Sequence, residues 1–142
     1  MEKIDNLVII TTPFHKEVVE KIFPNLINES STLVLYSKFV DASTIYTHKI
    51  LLFDYKFSRS ELFSKPLKNY KNTVTKFRKV KNDVENINQK FNFSNNLKIV
   101  ICSDSDIFTQ LMLNSLFKQD NKRELIAIEE GLGFYLRTTL KD

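Results

Sequence analysis

The hydrophobic positions of this chain fall into two periods. Leu7-Val8-Ile9-Ile10-Thr11, Leu33-Val34-Leu35-Tyr36, Ile50-Leu51-Leu52-Phe53, Leu97-Lys98-Ile99-Val100-Ile101-Cys102 and Glu124-Leu125-Ile126-Ala127-Ile128 are short, β-branched-rich runs that read as strands. They are nearly unbroken in hydrophobicity, as strands covered on both faces should be. Between them the spacing turns helical. Pro13 sets φ for the first turn of a helix carrying Val18, Val19, Ile22 and Phe23, and Pro24 ends it. From Pro66 to Phe91, the residues Leu67, Tyr70, Val74, Phe77, Val80, Val84, Ile87 and Phe91 recur at steps of three and four, which predicts a long helix with one apolar stripe packed on its own sheet. Residues 92–96 read as a turn, and residues 37–49 as a loop or a short strand. Ser103-Asp104-Ser105 offers N-cap side chains to a further helix with Ile107, Phe108, Leu111, Leu113, Leu116 and Phe117 on its buried side. Strands alternating with helices predict an α/β fold with parallel strands and crossover helices.

Composition narrows this picture without redrawing it. The chain has 142 residues, 42% of them hydrophobic and 27% charged, which fits one folded core and excludes a disordered chain. No linker or repeat divides it, so residues 1–142 are expected to form a single domain. Cys102 stands alone and no Cys/His cluster has zinc spacing, so the core is expected to hold without staples, in a reducing compartment. The first apolar run stops at Thr11, far short of the roughly 18 residues a bilayer span needs, and a cytoplasmic location is expected.

The net charge of +4 permits anionic partners and does not demand nucleic acid. Its placement matters more than its sum. Lys65, Lys68, Lys71, Lys76, Arg78, Lys79 and Lys81 lie along the long helix, as a solvated face or as a site for an anionic polymer, phosphate or membrane headgroups. Single-stranded nucleic acid is set aside because Tyr70 and Phe77 fall on the apolar stripe and leave no exposed stacking rings.

Absent motifs exclude several chemistries. Thr11-Thr12-Pro13-Phe14-His15 follows the first strand where a P-loop or a dinucleotide fingerprint would place glycines, and no Gly-x-Ser-x-Gly elbow exists. Asp54 after the third strand lacks the acidic pair on the first strand that a phosphoacceptor site needs for magnesium. In a parallel sheet the ligand site lies beyond the carboxyl ends of the strands, which gathers Thr11, Thr12, His15, Asp54, Ser103, Asp104, Glu129 and Glu130 on one rim. For most of these a plain role suffices: Ser103 and Asp104 as helix caps, His15 as a surface helix residue, Asp54 as a solvated loop residue. Glu129-Glu130-Gly131 is harder to explain that way, because two carboxylates at the end of a buried strand incur desolvation and mutual repulsion. Successive strand residues face opposite ways, so one carboxylate would serve as a base and the other as a brace. Gly131 and Gly133 would let a sugar approach the backbone, with Phe134 and Tyr135 available to stack on it.

The run Ile126-Ala127-Ile128-Glu129-Glu130-Gly131-Leu132-Gly133-Phe134-Tyr135 resembles the acidic-acidic-Gly motif of bacterial sialyltransferases and polysialyltransferases of capsule and lipooligosaccharide synthesis, and Thr11-Thr12-Pro13-Phe14-His15 resembles their first strand-to-helix turn. The resemblance implies a Rossmann-like parallel sheet with helices on both faces, the N-terminal, acceptor-side half of a GT-B enzyme whose C-terminal half binds the nucleotide sugar through a His-Pro pair. No His-Pro pair occurs in this chain.

It further implies an inverting, metal-independent transfer of sialic acid from CMP-sialic acid to a glycan acceptor, without a cofactor. Glu129 or Glu130 would be the general base, and Thr12, Pro13, His15, Ser103, Asp104, Gly131, Gly133 and Tyr135 would contact substrate. Lys68, Lys71, Arg78 and Lys79 would then meet a growing polyanionic glycan or the inner membrane surface. Two other readings stand beside it: a non-catalytic module that binds acidic glycans or nucleotides, and a transferase with another donor.

Overall fold

The computed structural model describes residues 1–41, 46–52, 66–104, 106–119 and 122–128, with the backbone alone for 52 and 66–69. Among these residues five strands form one sheet: β1 (Glu2–Ile10), β2 (Thr32–Ser37), β3 (His48–Leu52), β4 (Phe91–Ile101) and β5 (Glu124–Ala127). All four pairings are parallel and the strand order is β3-β2-β1-β4-β5. Among the described residues three α-helices connect them: α1 (Pro13–Ile22), α2 (Pro66–Lys90) and α3 (Ile107–Gln119), with a 3-10 turn at Leu26–Asn28. The fold is α/β with a five-stranded parallel sheet, an arrangement compatible with a Rossmann-like fold.

Alternation along β1 explains its unbroken hydrophobicity. Ile4, Leu7 and Ile9 face α2 and α3, where they join Leu33, Leu35, Leu97, Ile99, Val80, Val84, Ile87, Phe108, Met112 and Leu116. Val8 and Ile10 point the other way, into a second cluster with Val19 of α1, Leu26, Ile27, Val34, Val40, Tyr46, Val100 and Cys102. A central strand needs both of its faces apolar, and the sequence supplies both. The helices divide between the faces as right-handed crossovers require when the order runs outward from β1 in both directions.

Residues 92–96 are not a turn between elements. β4 starts at Phe91, directly after α2, and Phe91 and Phe93 are buried on the alternate positions of a strand. The asparagines mark a bulge instead: β1 advances from Ile4 to Asn6 while β4 advances from Phe93 to Lys98. A bulge leaves carbonyls without ladder partners, and Arg123 supplies donors for two of them. Its guanidinium, buried at the far end of α3, donates to Phe93 O and Ser94 O at 3.2 Å each and to Leu116 O in the last turns of α3 at 2.7 Å. One side chain thus ties the bulge to a helix C-terminus, where a cation is favoured.

Three further expectations on burial need correction. β5, expected as a buried strand ending in two carboxylates, is an edge strand with Glu124, Leu125 and Ala127 exposed, and Leu51 of the other edge strand β3 is exposed too. His15 is not a surface residue: only 2% of it is exposed. Tyr70 and Phe77 are not on a buried stripe, being 69% and 40% exposed. Among the described side chains of α2, full burial begins at Val80, and the side chain of Leu67 lies outside them.

Candidate functional site

The reversal of strand order lies between β1 and β4, whose crossovers leave toward opposite sides of the sheet. Beyond these carboxyl ends is where a parallel sheet of this order holds its ligand crevice, flanked here by the β1–α1 turn and the residues after β4. The first wall is Thr11-Thr12-Pro13. Thr12 has extended backbone and caps α1, its Oγ1 accepting the His15 backbone N–H at 3.2 Å, while Thr12 O accepts from Lys16 N–H at 3.2 Å. Pro13 stands at the first helical position, where the N–H it lacks would have no helical partner.

Helix geometry brings His15 back over this turn. Thr11 Oγ1 and His15 Nδ1 are 2.9 Å apart, so either the hydroxyl donates to a neutral Nδ1 or an Nδ1–H donates to the hydroxyl. The backbone of the turn is fixed from β2 as well, where Ser37 Oγ donates to Thr11 O at 2.7 Å. The turn is held from three directions before any ligand arrives, as a binding wall needs.

Ser103 and Asp104 form the opposite wall, the first half-buried and the second exposed. They are not the caps of α3. Asp106 takes that role: its Oδ1 accepts the Thr109 N–H at 2.8 Å and its Oδ2 accepts the Thr109 hydroxyl at 2.6 Å. The cap sits where Asp106 leads into Ile107 because a side chain must be three residues ahead of the N–H it accepts, and Thr109 is the first buried residue able to return a hydroxyl. Gln110 Nε2 donates to Asp104 O at 2.8 Å and so fixes the loop from the helix side.

β5 brings a third segment to the same edge. Ala127 pairs with Ile101, and Ile128 N–H still donates to Ile101 O at 2.8 Å. Glu129 is one peptide bond beyond that anchored residue. Glu129, Glu130, Gly131, Gly133, Phe134, Tyr135 and Asp54 lie outside the described residues, as does the side chain of Lys68. Of the rim residues anticipated from sequence, the structure therefore brings together Thr11, Thr12, Pro13 and His15 on one side and Ser103 and Asp104 on the other. Lys71, Arg78 and Lys79 are exposed on α2.

Two rim residues escaped the sequence reading. Phe14 on the first turn of α1 and Phe39 just after β2 are 56% and 49% exposed at the carboxyl edge, and the Lys38 ammonium lies 5.0 Å from the Phe39 ring centroid. The available signal was position: an aromatic directly after a strand end, in a turn, has no sheet to pack on. Behind the β1–α1 turn, the Tyr46 hydroxyl donates to Glu20 Oε1 at 2.7 Å, and burial, reinforced by that bond and the glutamate charge, pushes its pKa far above 10. This bond joins the approach to β3 to α1 and leaves the crevice alone.

Among the described residues no group of three or more His, Cys, Asp or Glu is arranged to hold a metal ion, and no helix is long and apolar enough to cross a membrane. Comparison with known proteins returns no match: no family model, no curated protein and no solved structure matches this chain.

Proposed function

We propose that the chain is the acceptor-side, Rossmann-like half of a GT-B enzyme, an inverting and metal-independent glycosyltransferase that moves sialic acid from CMP-sialic acid to a glycan acceptor in surface polysaccharide synthesis. One observation carries the reading. The parallel order β3-β2-β1-β4-β5 sets the Thr-Thr-Pro turn with its buried His15 across from Ser103 and Asp104, and β5 runs in register to the same edge, immediately before Glu129-Glu130-Gly131. The two segments that carry the family resemblance thus start from one end of one sheet, although more than a hundred residues separate them in sequence.

In this reading one glutamate takes the proton from an acceptor hydroxyl as its oxygen attacks the anomeric carbon of the donor. The bond from that carbon to the CMP oxygen breaks, its electron pair leaves on the phosphate, and the configuration inverts. A sugar hydroxyl is a very weak acid, so a positioned base contributes about 10²- to 10⁴-fold. Thr12, His15, Ser103, Asp104 and the segment from Gly131 to Tyr135 orient the acceptor, and the nucleotide is held mainly by a second half. A monophosphate leaving group can be received by basic side chains or a helix N-terminus, so the chemistry does not call for a cation.

The test is transfer of labelled sialic acid from CMP-sialic acid to sialylated acceptors by the protein at its natural length. Activity that is unchanged by EDTA and falls at least about 100-fold in the double variant Glu129→Gln, Glu130→Gln is expected. Wild-type protein that leaves the donor intact with every acceptor, or a double variant that keeps full activity, would overturn the reading.

A further inference from the structure

The clearest feature left unused by the crevice is the N-terminal half of α2. Between Tyr70 and Lys79 no side chain is buried, whereas Val80, Val84 and Ile87 are buried in the sheet core. At 100° per residue, Tyr70, Val74 and Phe77 form a stripe of their own, centred roughly 80° around the helix from the buried one. Lys81 falls within the arc of that stripe, and Arg78 and Lys71 follow on its side away from the sheet. Lys81 Nζ lies 3.9 Å from the Glu85 carboxylate. No Asp or Glu occurs from residue 62 to residue 82.

Topology places this face. α2 ends at Lys90 and β4 begins at Phe91, so the helix C-terminus is at the amino edge of the sheet. Tyr70 is 20 residues up the helix, a rise of about 30 Å. β4 climbs a similar height, about 33 Å, over its 11 residues. The exposed half of α2 therefore lies toward the carboxyl edge, the edge that carries the crevice.

We propose that Tyr70, Val74 and Phe77, with Lys71, Arg78 and Lys81, dock this protein on the surface of an anionic lipid bilayer. Two observations together select that partner. The half-buried Val74 lies between the two exposed rings and extends the apolar surface that acyl chains can cover, and a tyrosine at one end suits the headgroup level. The flanking cations, with stems long enough to reach up from a helix lying in the interface, supply attraction to anionic headgroups. Stacked bases are matched less well: Tyr70 and Phe77 are two turns, about 10 Å, apart on the helix, with an aliphatic residue between them. The inference does not depend on the transferase reading.

Vesicle sedimentation tests it with the whole chain. Binding to equimolar phosphatidylglycerol and phosphatidylcholine, and not to pure phosphatidylcholine, is expected. Tyr70→Ser with Phe77→Ser should weaken it at least about tenfold. Lys71→Gln and Arg78→Gln should weaken it about fivefold each, and added salt should reduce binding throughout. All four positions are exposed, so the circular dichroism melt should not move, which separates lost docking from lost folding. Equal binding to neutral vesicles, or unchanged affinity in the ring variant, would overturn the proposal. So would tighter, ring-dependent binding to single-stranded polyuridylate, which would make the same face a nucleic-acid platform.

Discussion

Residues 70–79 and 80–90 of α2 carry apolar side chains at the same steps of three and four, yet Val80, Val84 and Ile87 are buried and Tyr70 and Phe77 are exposed. Both halves are regular helix, so the difference is not one of secondary structure. It lies in the order of the steps. Val74, Phe77 and Val80 follow at two consecutive intervals of three, and each such interval falls about 60° short of a full turn. The apolar line rotates away from the sheet as it climbs. What faces Ile4, Leu7, Leu33 and Leu97 in the lower half no longer faces them in the upper half. Periodicity within a tolerance of one residue establishes a helix; the accumulated angle decides which side chains the core receives.

The sharpest way to break this comparison is to place the same charge in each half. Val80→Asp puts a carboxylate where no water reaches, and a loss on the order of 3–5 kcal/mol is expected, enough to unfold most of the population of a marginally stable domain. Phe77→Asp, one helical turn earlier, should change stability by less than about 0.5 kcal/mol. Urea unfolding followed by circular dichroism measures both. Comparable losses at the two positions would mean that Phe77 is part of the core after all.

A smaller effect should be visible without mutation. Amides of residues 84–90 are backed by the sheet and should exchange with solvent through global unfolding, while those of residues 74–79 can open without exposing a fully buried side chain. At least about tenfold lower protection in the upper half is expected by hydrogen exchange. Equal protection would make α2 a single cooperative unit.

This rotation also marks what could and could not be read from the chain. The element order, the parallel class and the strand cores were legible because β1, β2 and β4 are apolar at consecutive positions and the helices between them are long enough to cross over. Three features were not. The bulge in β4 looks like a turn in sequence because Asn95 and Asn96 favour turns, and only the Arg123 guanidinium, distant in sequence, makes its carbonyls affordable inside a strand. The cap of α3 fell to Asp106 and not to Ser103 or Asp104, since capping depends on where the first turn closes and three adjacent candidates look alike. In sequence His15 looks like a surface residue, because its polarity is visible and its contact with Thr11 Oγ1 is a matter of geometry. The crevice itself followed from strand order, and the glutamates that give it a chemistry were legible only as a motif at the end of β5.

The mildest test concerns Asp83, on the edge of the buried half of α2, where partial burial raises its pKa above the ordinary 3.8. A carboxyl with a raised native pKa binds its proton more tightly when folded, so its ionised form costs stability at neutral pH. The cost should stay constant as pH falls toward the raised native value, shrink through the window between that value and 3.8, and vanish below it, where both states are protonated. Asp83→Asn should therefore melt slightly higher than the wild type at pH 7 and at the same temperature in strong acid. A carboxylate lying among the exposed residues of the upper half would show no such convergence, because water would solvate it equally in both states. If the asparagine variant melts lower at pH 7, or if the difference persists unchanged into acid, Asp83 contributes through a bond and not through its burial.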